Sequence, residues 1–172
     1  GGVRGGVERG ARGDVGGRGT EAKSRFVAKG LMDWKITAGG GTAADGMGSA
    51  TDADEDMAWA LVMAANQWAT ATYLDDAGHV INAMLANSIA GHGMLKPGDN
   101  WGGTNVTYPD YFSPAYFRVF AAVTCNDQWS KFILDRNYSI LAMVSGNRAL
   151  VPDAPPRTYQ NMATYTLTAC PT

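Results

Sequence analysis

The stretch from Ala50 to Trp68 constrains the fold of this chain more than any other. Four acidic side chains fall within five residues at its start, namely Asp52, Asp54, Glu55 and Asp56. Directly behind them, apolar side chains recur at spacings of four, three and four, at Met57, Leu61, Ala64 and Trp68. This is the period of an α-helix that buries one face. The stretch therefore predicts an amphipathic helix with a strongly acidic N-terminus.

Helix capping explains part of this acidic cluster. Thr51 and Asp54 have the spacing of a capping pair, in which the threonine oxygen accepts from free amides and the acid lies in the first turn. A cap accounts for one or two carboxylates. Three aspartates packed this closely repel one another, so the cluster indicates a role beyond capping.

Three explanations compete for the cluster. An EF-hand calcium loop that begins at Asp52 requires glycine at position six and glutamate at position twelve. Met57 and Met63 occupy those positions, which excludes it. A solvated, acid-capped helix start is the second explanation. The third is a site where a carboxylate at the mouth of a helix acts on a sugar or a proton.

The remaining patterns predict three more helices. Apolar residues recur at helical spacing from 73 to 89, and a short link joins this segment to the first helix, as in an antiparallel hairpin. Ser113 and Pro114 form a helix start, with serine as the cap and proline in the first turn. Asp127 begins a fourth helix, which Gly146 ends. Because no long alternating strand pattern occurs, the fold class predicted is all-α.

Composition limits the organisation of the chain and its partners. Its 172 residues suffice for one domain with a real core, and the net charge of −2 favours neither nucleic acid nor a membrane surface. No apolar run is long enough to span a bilayer. Residues 1–24 are rich in glycine and arginine, which predicts a disordered leader, with the folded domain at 25–172.

The metal-binding residue types are sparse. His79 and His92 have no second ligand at metal spacing, so we expect neither a metal site nor a cofactor. Cys125 and Cys170 are free or paired, and their number leaves both possibilities open.

Residues Ala50–Trp68 resemble the signature of glycoside hydrolase family 8. The resemblance continues through residues 30–36, 97–103 and 111–116, and covers roughly residues 26 to 153. It implies part of an (α/α)6 barrel built from antiparallel helical hairpins. The activity that it implies is endo-acting, inverting hydrolysis of β-1,4-glucan by a protein that is monomeric when complete and is secreted or periplasmic. Xylanase, chitosanase, lichenase and an inert carbohydrate-binding helical fragment are the alternatives.

The resemblance also implies roles for particular residues. Asp52 would be the catalytic carboxylate at the sugar about to be cleaved. The implied substrate contacts are Trp34, Asp54, Trp101 and Tyr111, with Asp99 and Asn100 as further candidates in the long loop of residues 93–112. Trp34 is either a core residue or a flat platform for a pyranose ring.

The two proton-transferring carboxylates of the family have no clear counterpart. Upstream, Glu8 and Glu21 lie in the glycine-arginine leader without a helical pattern, and neither is assigned as the general acid. Near the C-terminal end, Thr168 and Pro171 stand where the resemblance implies an aspartate base and an arginine. The sequence therefore resembles the middle of an enzyme.

Overall fold

The computed structural model describes residues 29–102 and 106–146. The predicted leader at 1–24, the residues considered for the general acid and base, and Cys170 all lie outside the described residues. Cys125 is exposed at the C-terminal end of a helix.

Four α-helices dominate the described chain. They are α1 (Thr51–Trp68), α2 (Ala71–Asn87), α3 (Pro114–Thr124) and α4 (Leu134–Ser145). A π-helical segment, Gln128–Ile133, runs directly into α4, and two 3₁₀ turns span Gly91–Gly93 and Pro109–Tyr111. Two antiparallel strands, β1 (Ile89–Ala90) and β2 (Met94–Leu95), pair Ile89 with Leu95. The all-α prediction is confirmed, and extended pairing in the described residues is limited to these two-residue strands and isolated bridges such as Ile36 with Thr42.

Helices α1 and α2 form a hairpin because only Ala69 and Thr70 separate them, and Ala69 has a left-handed φ of 49°. Their shared face is built from small and aliphatic side chains, which are Ala58, Leu61, Val62, Ala77, Val80, Ile81 and Met84. The predicted stripe on α1 is displaced around the helix, since Met57 and Trp68 are only half-buried. The buried face instead continues toward the N-terminus through Asp54 and Glu55.

Helices α3 and α4 pack around three aromatic rings. Phe117, Phe120 and Trp129 are fully buried, and the Trp129 ring lies 5.6 Å from Phe117 and 5.4 Å from Phe120. Ser113 and Pro114 occupy the predicted start of α3, and Gly146 ends α4. Ile133 and Leu134 join this aromatic group to the core of the α1–α2 hairpin. No helix in the described ranges is both long and apolar enough to cross a membrane.

The predicted capping pair at the start of α1 is wrong. Ala50 is the N-terminal cap residue and makes no side-chain cap hydrogen bond, so Thr51 does not cap the helix. The hydroxyl of Thr51 donates instead to the carbonyl of Lys96, 2.8 Å away. Sequence spacing missed this because the partner is distant in the chain.

Before α1, the chain folds back on itself around Gly48. The amide of Trp34 donates to the Gly48 carbonyl over 2.8 Å, and the Gly48 amide donates to a carboxylate oxygen of Asp33 over 2.8 Å. Gly48 has a φ of +91°, and the side chain of Asn100 fills the space that a Cβ atom would need. Glycine is required here on both counts.

Gly48→Ala is therefore expected to lower the free energy of unfolding by about 2 kcal/mol or more, through the left-handed backbone and the collision with Asn100. Gly78→Ala is the matched control, because that position lies inside α2 with open space around it. The control should gain about 0.5–1 kcal/mol from helix propensity. Urea unfolding of the two variants measures both effects, and equal midpoints would contradict the assignment.

Candidate active site

The loop of residues 96–101, which we call the clamp loop, holds the N-terminus of α1. Asp99 accepts a hydrogen bond from the Ser49 amide over 2.8 Å, and the Thr51 amide donates to the Pro97 carbonyl over 3.0 Å. The indole nitrogen of Trp101 donates to the Ser49 carbonyl over 2.8 Å. Both backbone groups of Ser49 are thus bound, and the direction in which α1 starts is fixed.

Two lysines stabilise the clamp loop through contacts with Asp99 and with the end of α2. Lys29 forms an ion pair of 2.9 Å with the buried carboxylate of Asp99. The Lys96 ammonium donates to the carbonyls of Asn87, at 2.8 Å, and Asp99, at 2.5 Å, which ties the loop to the end of α2. Burial alone would raise the pKa of Asp99, but the Lys29 and Ser49 hydrogen bonds and the charges of both lysines hold it below its usual value. Asp99 is therefore a charged anchor.

Of the four acids near the start of α1, two are exposed to solvent and two are buried. Asp52 is exposed, and its carboxylate accepts from the adjacent Ala53 amide over 2.9 Å. Asp56 is also exposed and accepts from the Tyr116 hydroxyl over 3.2 Å. Asp54 and Glu55 are buried, each with 1% exposure. Asp52 is thus the acid of this turn that lies at the surface directly after the clamped residues.

Asp54 is placed differently from the predicted substrate contact. Its carboxylate lies 3.5 Å from the Met32 amide and faces the Ser49 side chain. Burial raises the pKa of Asp54 to about 7, the hydrogen bonds from Ser49 and Met32 lower it, and the charges of Asp99 and Asp52 raise it further. In this position Asp54 is buried against Met32 and Ser49, and it stabilises the backbone around the start of α1.

A row of aromatic side chains begins at Trp101, whose indole binds the Ser49 carbonyl. Trp101 is half-buried, its ring centre lies 6.0 Å from that of Tyr108, and Tyr108 lies 5.6 Å edge-on from Tyr111. These three rings form a continuous row. Trp34 is 49% exposed, which favours a platform over a core role, and the Lys35 ammonium lies 5.6 Å from its ring centre.

Several contacts were not foreseen from the sequence. Asp99 was expected to bind sugar, but its carboxylate is occupied by Lys29 and Ser49. Asn100 is exposed, and its amide donates to the Met47 carbonyl over 3.3 Å. Tyr108 is an additional member of the aromatic row, and its position in the long aromatic loop is the sequence signal for this role. Within the described ranges, no three histidine, cysteine or acidic side chains are grouped as a metal site.

Comparison with known proteins identifies the family to which this chain belongs. The family model for glycosyl hydrolases family 8 matches residues 20–164. The chain is 41% identical to Endoglucanase A of Acetivibrio thermocellus over 141 residues, which are 76% of this chain and 29% of that protein. This chain is a member of glycosyl hydrolases family 8.

Solved structures agree with this assignment. A β-1,3-1,4-glucanase from Paenibacillus sp. X4 is 26% identical, with a TM-score of 0.73 over 78% of this chain and 39% of that one. A family 8 endo-β-1,4-glucanase from an Achatina fulica gut metagenomic library is 26% identical, with a TM-score of 0.66 over 79% and 46% of the two chains. The expected architecture is confirmed, and the helical pairs α1–α2 and α3–α4 belong to part of an (α/α)6 barrel.

The pKa of Asp54 predicts a pH dependence of stability. A carboxyl group whose folded-state pKa is raised stabilises the fold at low pH, and that contribution is lost as pH rises from about 4 to about 7. One such proton contributes a slope of about 1.4 kcal/mol per pH unit. Asp54→Asn should remove this part of the slope and raise stability at pH 8 by up to about 4 kcal/mol.

Urea unfolding at several pH values measures this slope. Asp75→Asn, at an exposed position of α2, is the control and should keep the wild-type slope. An Asp54→Asn protein that loses stability between pH 4 and 7 as steeply as the wild type would contradict the burial of a titrating Asp54.

Proposed function

We propose that this chain forms the substrate cleft of a secreted or periplasmic endo-β-1,4-glucanase that acts as a monomer on β-linked polysaccharide. The observation that carries the proposal is the exposed Asp52 at the start of α1, directly after residues that bind the Trp101 indole and the Trp34 backbone. A carboxylate beside aromatic faces is the combination that a sugar requires, since pyranoses present hydroxyls at their edges and apolar faces above and below. The relative named Endoglucanase A supports β-glucan as the substrate.

Asp52 would act on the sugar at the point of cleavage. Its carboxylate would bind ring hydroxyls, hold the ring in a distorted shape and stabilise the positive charge that develops near the anomeric carbon. Inverting cleavage also needs an acid that protonates the leaving oxygen and a carboxylate that activates water, about 6.5 to 9.5 Å apart. Glu55 is the one glutamate among the described residues, and it is too buried for the acid role. Both partners of Asp52 are therefore proposed to come from outside those residues.

The aromatic groups would determine where the glucan chain lies. Trp34 offers an exposed ring, and the row of Trp101, Tyr108 and Tyr111 extends from the clamped residues toward the start of α3. Stacking on such rings binds an extended polysaccharide at several sugars, as endo-acting cleavage requires. In this proposal the buried Asp54 stabilises the residues that form this surface, and it does not contact the sugar.

The alternatives are separated by substrate. A β-1,3-1,4-glucanase is among the similar structures, so a lichenase specificity is the leading variant, ahead of xylanase and chitosanase. The chain spans about 29% of the length of Endoglucanase A, and an inert carbohydrate-binding fragment is the alternative outside catalysis. Reducing-end release from carboxymethylcellulose, lichenan, xylan and chitosan distinguishes the enzymes, while cellohexaose binding without any release identifies the inert fragment.

Trp34→Ala is expected to weaken binding of cellohexaose about tenfold, equivalent to about 1.4 kcal/mol, because one stacking face is lost. Tyr138→Ala is the matched control, since this aromatic side chain on α4 is 46% exposed and lies outside the proposed cleft. Isothermal titration measures both affinities. A wild-type chain that does not bind cellohexaose, or equal losses in the two variants, would contradict the cleft.

Asp52→Asn is expected to lower the rate of hydrolysis of the preferred polysaccharide by about 10²–10³, since the charge that stabilises the transition state is removed. Because Asp52 is exposed, the melting temperature should change little. Reducing-end assays of the two proteins test this. An Asp52→Asn protein as active as the wild type would end the catalytic assignment.

A further inference from the structure

Glu55 is a buried acid that the proposed mechanism does not use. Its side chain lies near the start of α1 with 1% exposure, and neither carboxyl oxygen forms a hydrogen bond of normal geometry within the described part of the chain. An unpaired buried carboxylate costs several kcal/mol relative to one in water. A glutamate in this position therefore needs a function that offsets the cost.

The polar group that faces Glu55 is the side chain of Ser113. Ser113 is the cap residue of α3, and its carbonyl accepts from the Phe117 amide over 3.1 Å. It follows Tyr111, the last ring of the aromatic row, by two residues. From the start of α1, which also carries Asp52, Glu55 thus faces the segment that follows Tyr111.

Two further contacts join α1 to α3 beside this pair. The Tyr116 hydroxyl donates to Asp56 over 3.2 Å, and the Tyr116 ring stacks on Trp59 at 4.7 Å with 8° between the planes. Glu55 is the buried polar member of this contact, and the other two lie nearer the surface. The α1–α3 contact thus has the buried Glu55 at its centre and the stacked rings of Trp59 and Tyr116 at its edge.

We propose that Glu55 is a positioning residue, which joins the first turn of α1 to the start of α3 through Ser113 and so fixes Tyr111 relative to Asp52. The proposal rests on the proposed function only in that Asp52 and Tyr111 bind sugar; the link between the two helices stands without it. The Ser113 hydroxyl donates toward the Glu55 carboxyl, since this interaction lowers the pKa of the acid. In its charged form it would be a buried anion among acids.

The surroundings of Glu55 favour its neutral form. Burial raises the pKa of this carboxyl well above its usual value, the Ser113 hydroxyl lowers it somewhat, and the charges of Asp52, Asp56 and Asp54 raise it further. From α3, the titratable group nearby is Tyr116, and burial together with Asp56 raises its pKa above 10. Because burial disfavours the charged form of Glu55, its contribution to the packing of α1 on α3 should be lost as pH rises through its pKa.

Hydrogen exchange of the 172-residue chain tests the link without any sugar. Between pH 5 and pH 9, the protection factor of amides in residues 111–120 should fall in the wild type by about tenfold or more, after correction for the intrinsic exchange rate. Glu55→Gln should remove this fall, because the amide keeps the shape and an acceptor oxygen but does not titrate. Ser113→Ala should give low protection at every pH.

Two controls separate the link from general effects. Asp75→Asn should behave as the wild type, and Asp54→Asn should alter the pH dependence of residues 29–49 while leaving that of residues 111–120 in place. If Glu55→Gln retains the wild-type pH dependence in residues 111–120, the proposal is overturned. The same result follows if Ser113→Ala leaves their protection unchanged.

Cellohexaose titrations of the same proteins then connect the link to the cleft. Wild-type affinity should decline at alkaline pH, and the affinity of Glu55→Gln should stay within about twofold across the range. Absence of sugar binding by all variants, together with the expected exchange pattern, would reject the proposed function and retain the helix link. Sugar affinity that declines equally in the wild type and Glu55→Gln would reject the positioning role and retain the function.

Discussion

The described fold depends on the attachment of the clamp loop to the residues before α1. Asp99 and Trp101 bind the two backbone groups of Ser49, and Thr51 binds the loop backbone through its amide and hydroxyl. A helix N-terminus leaves free amides that need partners. The Ser49 amide, which precedes the helix, donates to the charged carboxylate of Asp99, and Lys29 forms an ion pair with that carboxylate. The starting point of α1, and with it the position of Asp52, is thereby determined by residues some fifty positions away in the sequence.

A second constraint is the concentration of acids in one helical turn. Two carboxyl groups, Asp54 and Glu55, are buried with raised pKa values, so the turn carries less charge near neutral pH than its sequence suggests. The exposed Asp52 and Asp56 then repel each other less than four ionised acids would. Burial of two acids is costly in isolation. Its consequence is that Asp52 and Asp56 are the two acids of this cluster that remain exposed.

The helices could be predicted from the sequence because their signals are local. Ser113 with Pro114 and the glycine at 146 set the ends of α3 and α4 where they were expected. The role of Asp54 could not be predicted in this way. The apolar stripe through Met57 and Leu61 assigned no role to Glu55, and the family resemblance made Asp54 a substrate contact. Only the packing of residues 29–50 and of α3 against this turn shows that Asp54 and Glu55 belong to the interior.

The long loop shows the same limit. Its composition indicated a functional segment, and Trp101 and Tyr111 do lie in one aromatic row. Asp99 has the same local signals as a sugar-binding acid, but its long-range partners make it an anchor. Local sequence can indicate that a loop is functional. Whether each side chain stabilises the loop or contacts the sugar depends on contacts between distant segments.

The central claim is that the clamped start of α1 presents Asp52 to a polysaccharide. A crystal structure of the chain with bound cellohexaose measures this directly. We expect a glucose unit with a hydroxyl within about 3 Å of the Asp52 carboxylate and a further unit stacked on Trp34 or on the row that starts at Trp101. Cellohexaose bound elsewhere, with the Asp52 side chain directed into bulk solvent, would contradict it.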